Sequence, residues 1–308
     1  MVVVCGEALI DVIQNADGSQ RTVPGGGPFN TARALARLGV PAAFLGRLSE
    51  DRFGRELHEL LALDGVSLDL TSVGPEPTTT AVARVDSHGS AEYQFQVEGT
   101  SAPNLTLEML PARLGHDVNA LHLGTLGLSL EPMASTLVEL VRREGQGRMV
   151  MLDPNVRAGA QRGHLAAVIG ASTIVKASDT DVAWLFPDRD YRGAAEDLIR
   201  QGIRMVVVTL GAHGAYGAHG DHRLHVDAPP VEVVDTIGAG DAFGAGLLAW
   251  LHDHDLAHPD FELDEKGLRA ALAYACLAAS LTCARAGADP PSKREMAEAG
   301  RTFGIATE

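Results

Sequence analysis

Short apolar runs and amphipathic stretches take turns along most of this chain, and few folds accommodate that order. Ala120–Leu123, Met149–Leu152, Thr173–Val175 and Met205–Thr209 read as buried strands. Pro132–Arg143, Leu165–Ile169, Asp179–Phe186 and Ala194–Gln201 carry helical spacing. Strands that alternate with helices form a mainly parallel sheet covered by helices on both faces. Ligands of such sheets bind beyond the carboxyl ends of the strands. Upstream, Val2–Cys5 reads as a buried strand that Ala8–Ile13 continues, and Asn30–Leu38 as a helix stopped by Gly39. Ala42–Leu45 follows as a strand and Phe53–Leu63 as a helix. One stretch breaks the pattern. Thr79–Val85 and Tyr93–Val97 are extended runs around Ser87-His88-Gly89, a hairpin signal. The expectation is an α/β single domain over residues 1–308, with a small β-lid from about 12–24 and 70–100 at its edge.

A chain of 308 residues can bury roughly three quarters of its unfolded surface. Its formal charge of −15 speaks against nucleic acid, whose phosphates demand a basic face. A nucleotide is still admissible, because backbone amides and Mg²⁺ can hold it locally. Cys5, Cys276 and Cys283 lack metal-site spacing, and the last two read as core thiols of an apolar helix. The first seven residues show no basic leader. The longest apolar run, Ala270–Ala284, falls short of the ~20 residues that cross a bilayer. A cytoplasmic protein with neither membrane nor nucleic-acid partner is expected.

The chemistry concentrates in Asp235-Thr236-Ile237-Gly238-Ala239-Gly240-Asp241-Ala242-Phe243. Two glycines precede a carboxylate where an apolar helix begins. A helix start offers unpaired N–H groups and the positive end of the helix dipole, so it can hold phosphate oxygens. Glycine removes the Cβ that would keep a phosphate off those amides. A carboxylate repels the same phosphate, which gives Asp241 a purpose as the base for a hydroxyl attacking phosphorus. Read alone, the segment also fits a tight strand-to-helix turn with Asp241 as its cap.

Two other phosphate motifs fail on the residues. None of Lys176, Lys266 and Lys293 follows a glycine-rich loop as a P-loop requires. The glycines at 238, 240 and 244 are spaced GxGxxxG and come too late for a dinucleotide fingerprint. His252-Asp253-His254-Asp255 and His258 cluster locally, without the separated spacing of a structural zinc site, and read as a solvated loop.

Gly25-Gly26-Gly27-Pro28-Phe29-Asn30-Thr31-Ala32, running on to Leu38-Gly39, resembles the N-terminal signature of the ribokinase-like carbohydrate kinases. Asp235–Phe243 resembles their C-terminal signature, and the order, separation and intervening pattern agree over essentially the whole chain. Cys5–Asp11, Asp153-Pro154-Asn155-Val156-Arg157 and Leu281–Ala288 are most similar to fructokinases. The resemblance implies a ribokinase-like fold and transfer of the γ-phosphoryl of MgATP to a primary hydroxyl of a ketose, fructose first. It implies Asp241 as base, with the amides of Gly238, Ala239 and Gly240 around the transferred group. Asp11 and Asn30 would bind sugar hydroxyls, the backbone of Gly26 and Gly27 would lie against the ring, and Phe95 and Arg157 would complete the sugar site. Ser178, Thr209, Gly211, Gly214 and Cys276 would run along ATP, and Asp181 would reach Mg²⁺ through water. Pro291 lacks the oxygen of the serine that ribokinases carry near a monovalent cation, which puts a potassium requirement in doubt.

Structural roles stay open beside these: helix capping for Asn30, Ser178 and Asp179, loop capping for Asp11, a surface ion pair for Arg157, hairpin packing for Phe95. The rival substrate is 2-keto-3-deoxygluconate, whose carboxylate such kinases are expected to hold with arginines. The lid sequence Tyr93–Glu98 has none and adds Glu98, which favours a neutral ketose. Ribokinase or nucleoside kinase activity, and a non-catalytic sugar-binding protein, are the remaining alternatives. The lid hairpin could also pair with its own copy in a homodimer.

Overall fold

The computed structural model describes residues 1–14, 19–85, 91–156 and 162–307. In chain order the strands among them are β1 (Val2–Cys5), β2 (Leu9–Gln14), β3 (Gln20–Gly25), β4 (Ala42–Leu45), β5 (Arg47–Ser49), β6 (Ser72–Gly74) and β7 (Thr80–Val85). They continue as β8 (Ala91–Gln96), β9 (Ala120–Gly124), β10 (Met149–Asp153), β11 (Ile174–Ser178), β12 (Met205–Thr209), β13 (Ala215–His219) and β14 (His222–Val226). The helices are α1 (Gly27–Arg37), α2 (Arg52–Leu63), α3 (Met133–Glu144), α4 (Arg162–Ile169), α5 (Asp179–Leu185), α6 (Tyr191–Arg200), α7 (Ala239–Asp253), α8 (Glu265–Cys283) and α9 (Lys293–Phe303).

The central sheet runs β14-β13-β12-β11-β10-β9-β1-β4, parallel from β4 to β12 and antiparallel over the last hairpin. Side chains alternate across a strand. Val2 and Val4 accordingly join the core beneath α1, α7 and α8, whereas Val3 and Cys5 join the core beneath α3, α4 and α6. Both faces being covered, the strands are apolar throughout, which is why they read as unbroken runs. From β1 the chain first builds outward to β4 and later returns to the other side at β9. A crevice opens beyond the strand ends where the order reverses in this way.

A second sheet, β3-β2-β7-β8, stands over that crevice as the lid. Here the structure differs from the reading of Ala8–Ile13 as a continuation of the first strand. Gly6, at φ 142°, turns the chain out of the central sheet, and β2 pairs with β3 and β7 instead. Within the 70–100 stretch assigned to the lid, β6 pairs with β5 in a separate small sheet. The β7–β8 pair is antiparallel, and its Ser87-His88-Gly89 turn lies outside the described residues.

The helix α7 is buried from Asp241 through Leu251. Its sequence is apolar nearly all round, and such a helix belongs inside a protein. That burial fixes its amino end at the crevice. Further on, α9 opens on a reciprocal cap in which Ser292 accepts from the Glu295 amide and Glu295 accepts from the Ser292 amide. The hydrogen bonds from Ser292 hold the Glu295 carboxyl at about 2. No helix among the described residues is long and apolar enough to cross a membrane.

Candidate active site

A cleft of about 770 Å³ opens between the carboxyl ends of the central strands, the amino end of α7 and the lid. Asn30 on α1 and Asp241 on α7 meet in it, although 211 residues separate them: Asn30 Nδ2 donates to Asp241 Oδ2 at 2.9 Å. Asn30 is not the cap of its helix, since Gly26 holds that place and its carbonyl accepts from the Asn30 amide. Asn30 Oδ1 is buried and has no partner among the described residues. A buried acceptor left open beside a carboxylate calls for a donor, and a substrate hydroxyl is one.

The loop that leads into α7 is held from two sides. Asp235 Oδ1 accepts from the Ile237 amide and Oδ2 from the Gly287 amide. Gly238 then takes a left-handed conformation, φ 76°, and a Cβ on it would lie 2.6 Å from the Ala288 Cβ. Only glycine fits there. The amide of Ala239 donates to the Thr236 carbonyl at 3.3 Å, while Gly238, Gly240 and Asp241 line the cleft, where a helix start can cradle an anion.

Lys176 lies under this cradle. A Cβ on Gly240 would stand 3.1 Å from Lys176 Nζ. Lys176 is 4% exposed and its ammonium donates to Asp153 Oδ2 at 2.6 Å. Burial pulls the lysine's pKa down, but Asp153, Asp241 and Asp181 outweigh it and hold the group above its ordinary value, so it is charged. Two strands away, His122 is buried with no partner for either ring nitrogen among the described residues. Burial, aided by the charge of Lys176, pushes its pKa down to about 3, so it is neutral. Sequence reasoning weighed Lys176 only as a P-loop lysine and gave His122 no role.

At the end beneath the lid, Asp11, Gly26, Gly27, Asn30 and Phe95 all line the cleft. Glu7 joins them, 1% exposed and accepting from the Gly127 amide at 2.9 Å. Its signal was an acid at the end of an apolar strand. Arg157 lies outside the described residues. Glu98 is exposed and does not line the cleft, so its charge lends no support there to the argument for a neutral substrate.

At the other end, Ser178, Thr209, Gly211, Gly238, Gly240 and Asp241 line the cleft. Gly214 does not: it packs against the β14 end, where a Cβ would lie 2.0 Å from the Val226 carbonyl. Cys276 does not either. It is 3% exposed in the core shared by α7 and α8, where burial pushes its thiol up to about 12. That place matches the reading of Cys276 as a core thiol of an apolar helix. Asp181 is tied on both oxygens: Oδ1 accepts from the Val156 amide, and Oδ2 from the Ser178 amide and hydroxyl. It thereby fastens the loop after β10 to the start of α5, with Ser178 as the helix cap. His252 and His258 lie elsewhere, in a depression shared with His116 and Arg148, and His254 stacks on Trp250. Among the described residues no group of three or more His, Cys, Asp or Glu is placed to hold a metal ion.

The cleft thus joins a hydroxyl-sized polar corner, a carboxylate and an anion cradle. Residues 1–295 match the model of the pfkB family carbohydrate kinases. A fructokinase of Rhizobium leguminosarum bv. trifolii is 38% identical over 281 residues, which cover 87% of this chain and 86% of that protein. The structure of a Vibrio cholerae O395 fructokinase in fructose, ADP and calcium ion bound form aligns with a TM-score of 0.83 at 28% identity, over 96% of this chain and 97% of that one. An aminoimidazole riboside kinase from Salmonella enterica aligns with a TM-score of 0.81 at 26% identity, over 96% and 98%. Family model, relatives and fold agree with the cleft: this chain belongs to the pfkB family of carbohydrate kinases, phosphotransferases that act on an alcohol group.

Proposed function

We propose that this kinase transfers the γ-phosphoryl of ATP to a primary hydroxyl of fructose. The observation that carries the proposal is the Asn30–Asp241 pair at the mouth of the α7 cradle. Asn30 Oδ1 and Asp11 hold sugar hydroxyls, and Phe95 covers an apolar face of the ring. Asp241 orients the reacting hydroxyl and accepts its proton as the new O–P bond forms. The bond from the γ-phosphorus to the bridging oxygen breaks, and its electrons leave on ADP. The amides of Gly238, Gly240 and Asp241 stabilise the charge that develops on the group in transit, and the Ala239 amide joins them by leaving the Thr236 carbonyl. Thr209 and Gly211 lie along the nucleotide. Mg²⁺, when bound with ATP, neutralises phosphate charge. Asp181, with both oxygens already accepting from Val156 and Ser178, suits a contact to it through water only.

The cleft's own charge favours a neutral sugar. Glu7, Asp11, Asp153, Asp179, Asp181 and Asp241 line it against Lys176, the one cationic side chain among its described lining residues. A sugar acid would bring its carboxylate into that field at a cost. The test is an ATP-consumption assay over fructose, ribose, aminoimidazole riboside and 2-keto-3-deoxygluconate. Fructose is expected to give the highest kcat/KM. A clear preference for the acid or for a riboside would overturn the assignment.

The lid also suits a second copy of the chain. Its sheet ends on β3 and β8, and Gln20, Arg21 and Thr22 of β3 are exposed. Edge strands offer backbone groups to a partner strand. Sedimentation at micromolar concentration is expected to report a dimer, and a monomer there would refute lid pairing.

A further inference from the structure

We infer that Lys176 is a catalytic residue of the transfer step: its ammonium, held against Asp153 under the first turn of α7, meets the oxygens of the phosphoryl group in transit. The inference deepens the ATP-dependent reading above and rests on it.

A lysine in the middle of an apolar strand is costly. Its desolvation is offset by Asp153, but a buried pair of this kind is often no more stable than two apolar side chains of the same volume. Stability alone therefore gives weak reason for a Lys–Asp pair at this place, whereas the position gives a strong one. Lys176 lines the cleft, and so do Asp153, Gly240 and Asp241. The bond to Asp153 uses one of the three ammonium N–H groups. Gly240 leaves room for the rest, because a side chain at that position would begin 3.1 Å from the Nζ. The glycine before Asp241 thus serves two purposes, opening the cradle to phosphate and admitting a cation from below.

The charges around the lysine fit the same role. Carboxylates dominate the cleft wall, and a phosphoryl group entering it would meet repulsion that backbone dipoles alone must overcome. A fixed ammonium at the foot of the cradle counters that repulsion where negative charge spreads over the equatorial oxygens. It is preorganised: strand β11 fixes its stem, and Asp153 fixes its head. In so dry a place a fixed charge acts more strongly than in water and needs no reorientation during the reaction. His122 stays neutral in the lysine's field and so adds no competing cation.

The test must separate the lysine's chemistry from the loss of its partner. Asp153→Asn keeps a hydrogen bond to a charged Lys176. The pair Lys176→Met with Asp153→Asn removes the ammonium and leaves no buried carboxylate unpaired. Relative to Asp153→Asn, the pair is expected to lose ~10²–10³ in kcat, the effect of removing one preorganised donor, with the KM for fructose little changed. Affinity for ADP alone should hold. Affinity for ADP with aluminium fluoride and fructose, which imitates the group in transit, should fall by the same factor as kcat/KM. Both variants are checked for a native melting transition. If the pair does not fold, Lys176→Gln in the intact chain, which still donates to Asp153, takes its place. Equal turnover with and without the ammonium overturns the inference. Failure of the unsubstituted protein to use ATP with any sugar overturns the underlying reading instead.

Discussion

Asp241→Asn is expected to lower kcat by roughly 10²–10⁴ while the protein keeps its melting transition and its affinity for fructose. The substitution changes no volume. Asn30 Nδ2 now donates at 2.9 Å to Asp241 Oδ2, and an asparagine oxygen can accept the same bond. What disappears is the capacity to take a proton. Steady-state turnover together with calorimetric binding of fructose separates the two effects. Turnover close to that of the unsubstituted enzyme would show that Asp241 is only a helix residue, and the proposed mechanism would fall with it.

Gly238→Ala should be nearly as damaging, by a different route. A left-handed residue with a Cβ carries about 1–2 kcal/mol of strain. Here the new methyl would also lie 2.6 Å from the Ala288 Cβ, closer than real carbons approach. Relief requires the loop to move, and the loop positions the cradle amides. A kcat loss of ~10² or more is expected, comparable with losing a preorganised donor. Gly220→Ala is the control. That residue has φ 50° and open space around it, so the variant bears the strain without touching the cleft. If both variants lose turnover equally, the cradle geometry is not what Gly238 supplies.

The alternation of strands and helices was legible because burial on two faces makes the parallel strands apolar throughout. The start of α7 was legible because glycine spacing and an apolar helix announce it together. Other features depend on contacts that adjacent residues do not record. The strand read as Thr173–Val175 runs on to Ser178, because the charge that seems to end it is matched by Asp153, 23 residues upstream. The departure of β2 into the lid follows from a turn at Gly6 and from pairing with β7, both invisible in the apolar pattern of Ala8–Ile13. At the site itself, Asp11, Asn30, Phe95 and Asp241 were named from the sequence and share one cleft. Cys276 was read both as a core thiol and, by resemblance, as a nucleotide contact, and helix phase puts it in the core. Lys176 was passed over because its partner and its glycine neighbour come from other elements.

The meeting of Asn30 with Asp241 has a consequence for the life of the chain before it is complete. On the proposed mechanism the sugar contacts lie mostly in the first hundred residues, whereas Asp241 and the start of α7 are made only when synthesis has passed position 241. A product lacking α7 lacks Asp241 and the helix start proposed to hold phosphate. On that mechanism an incomplete molecule is expected to transfer nothing from ATP.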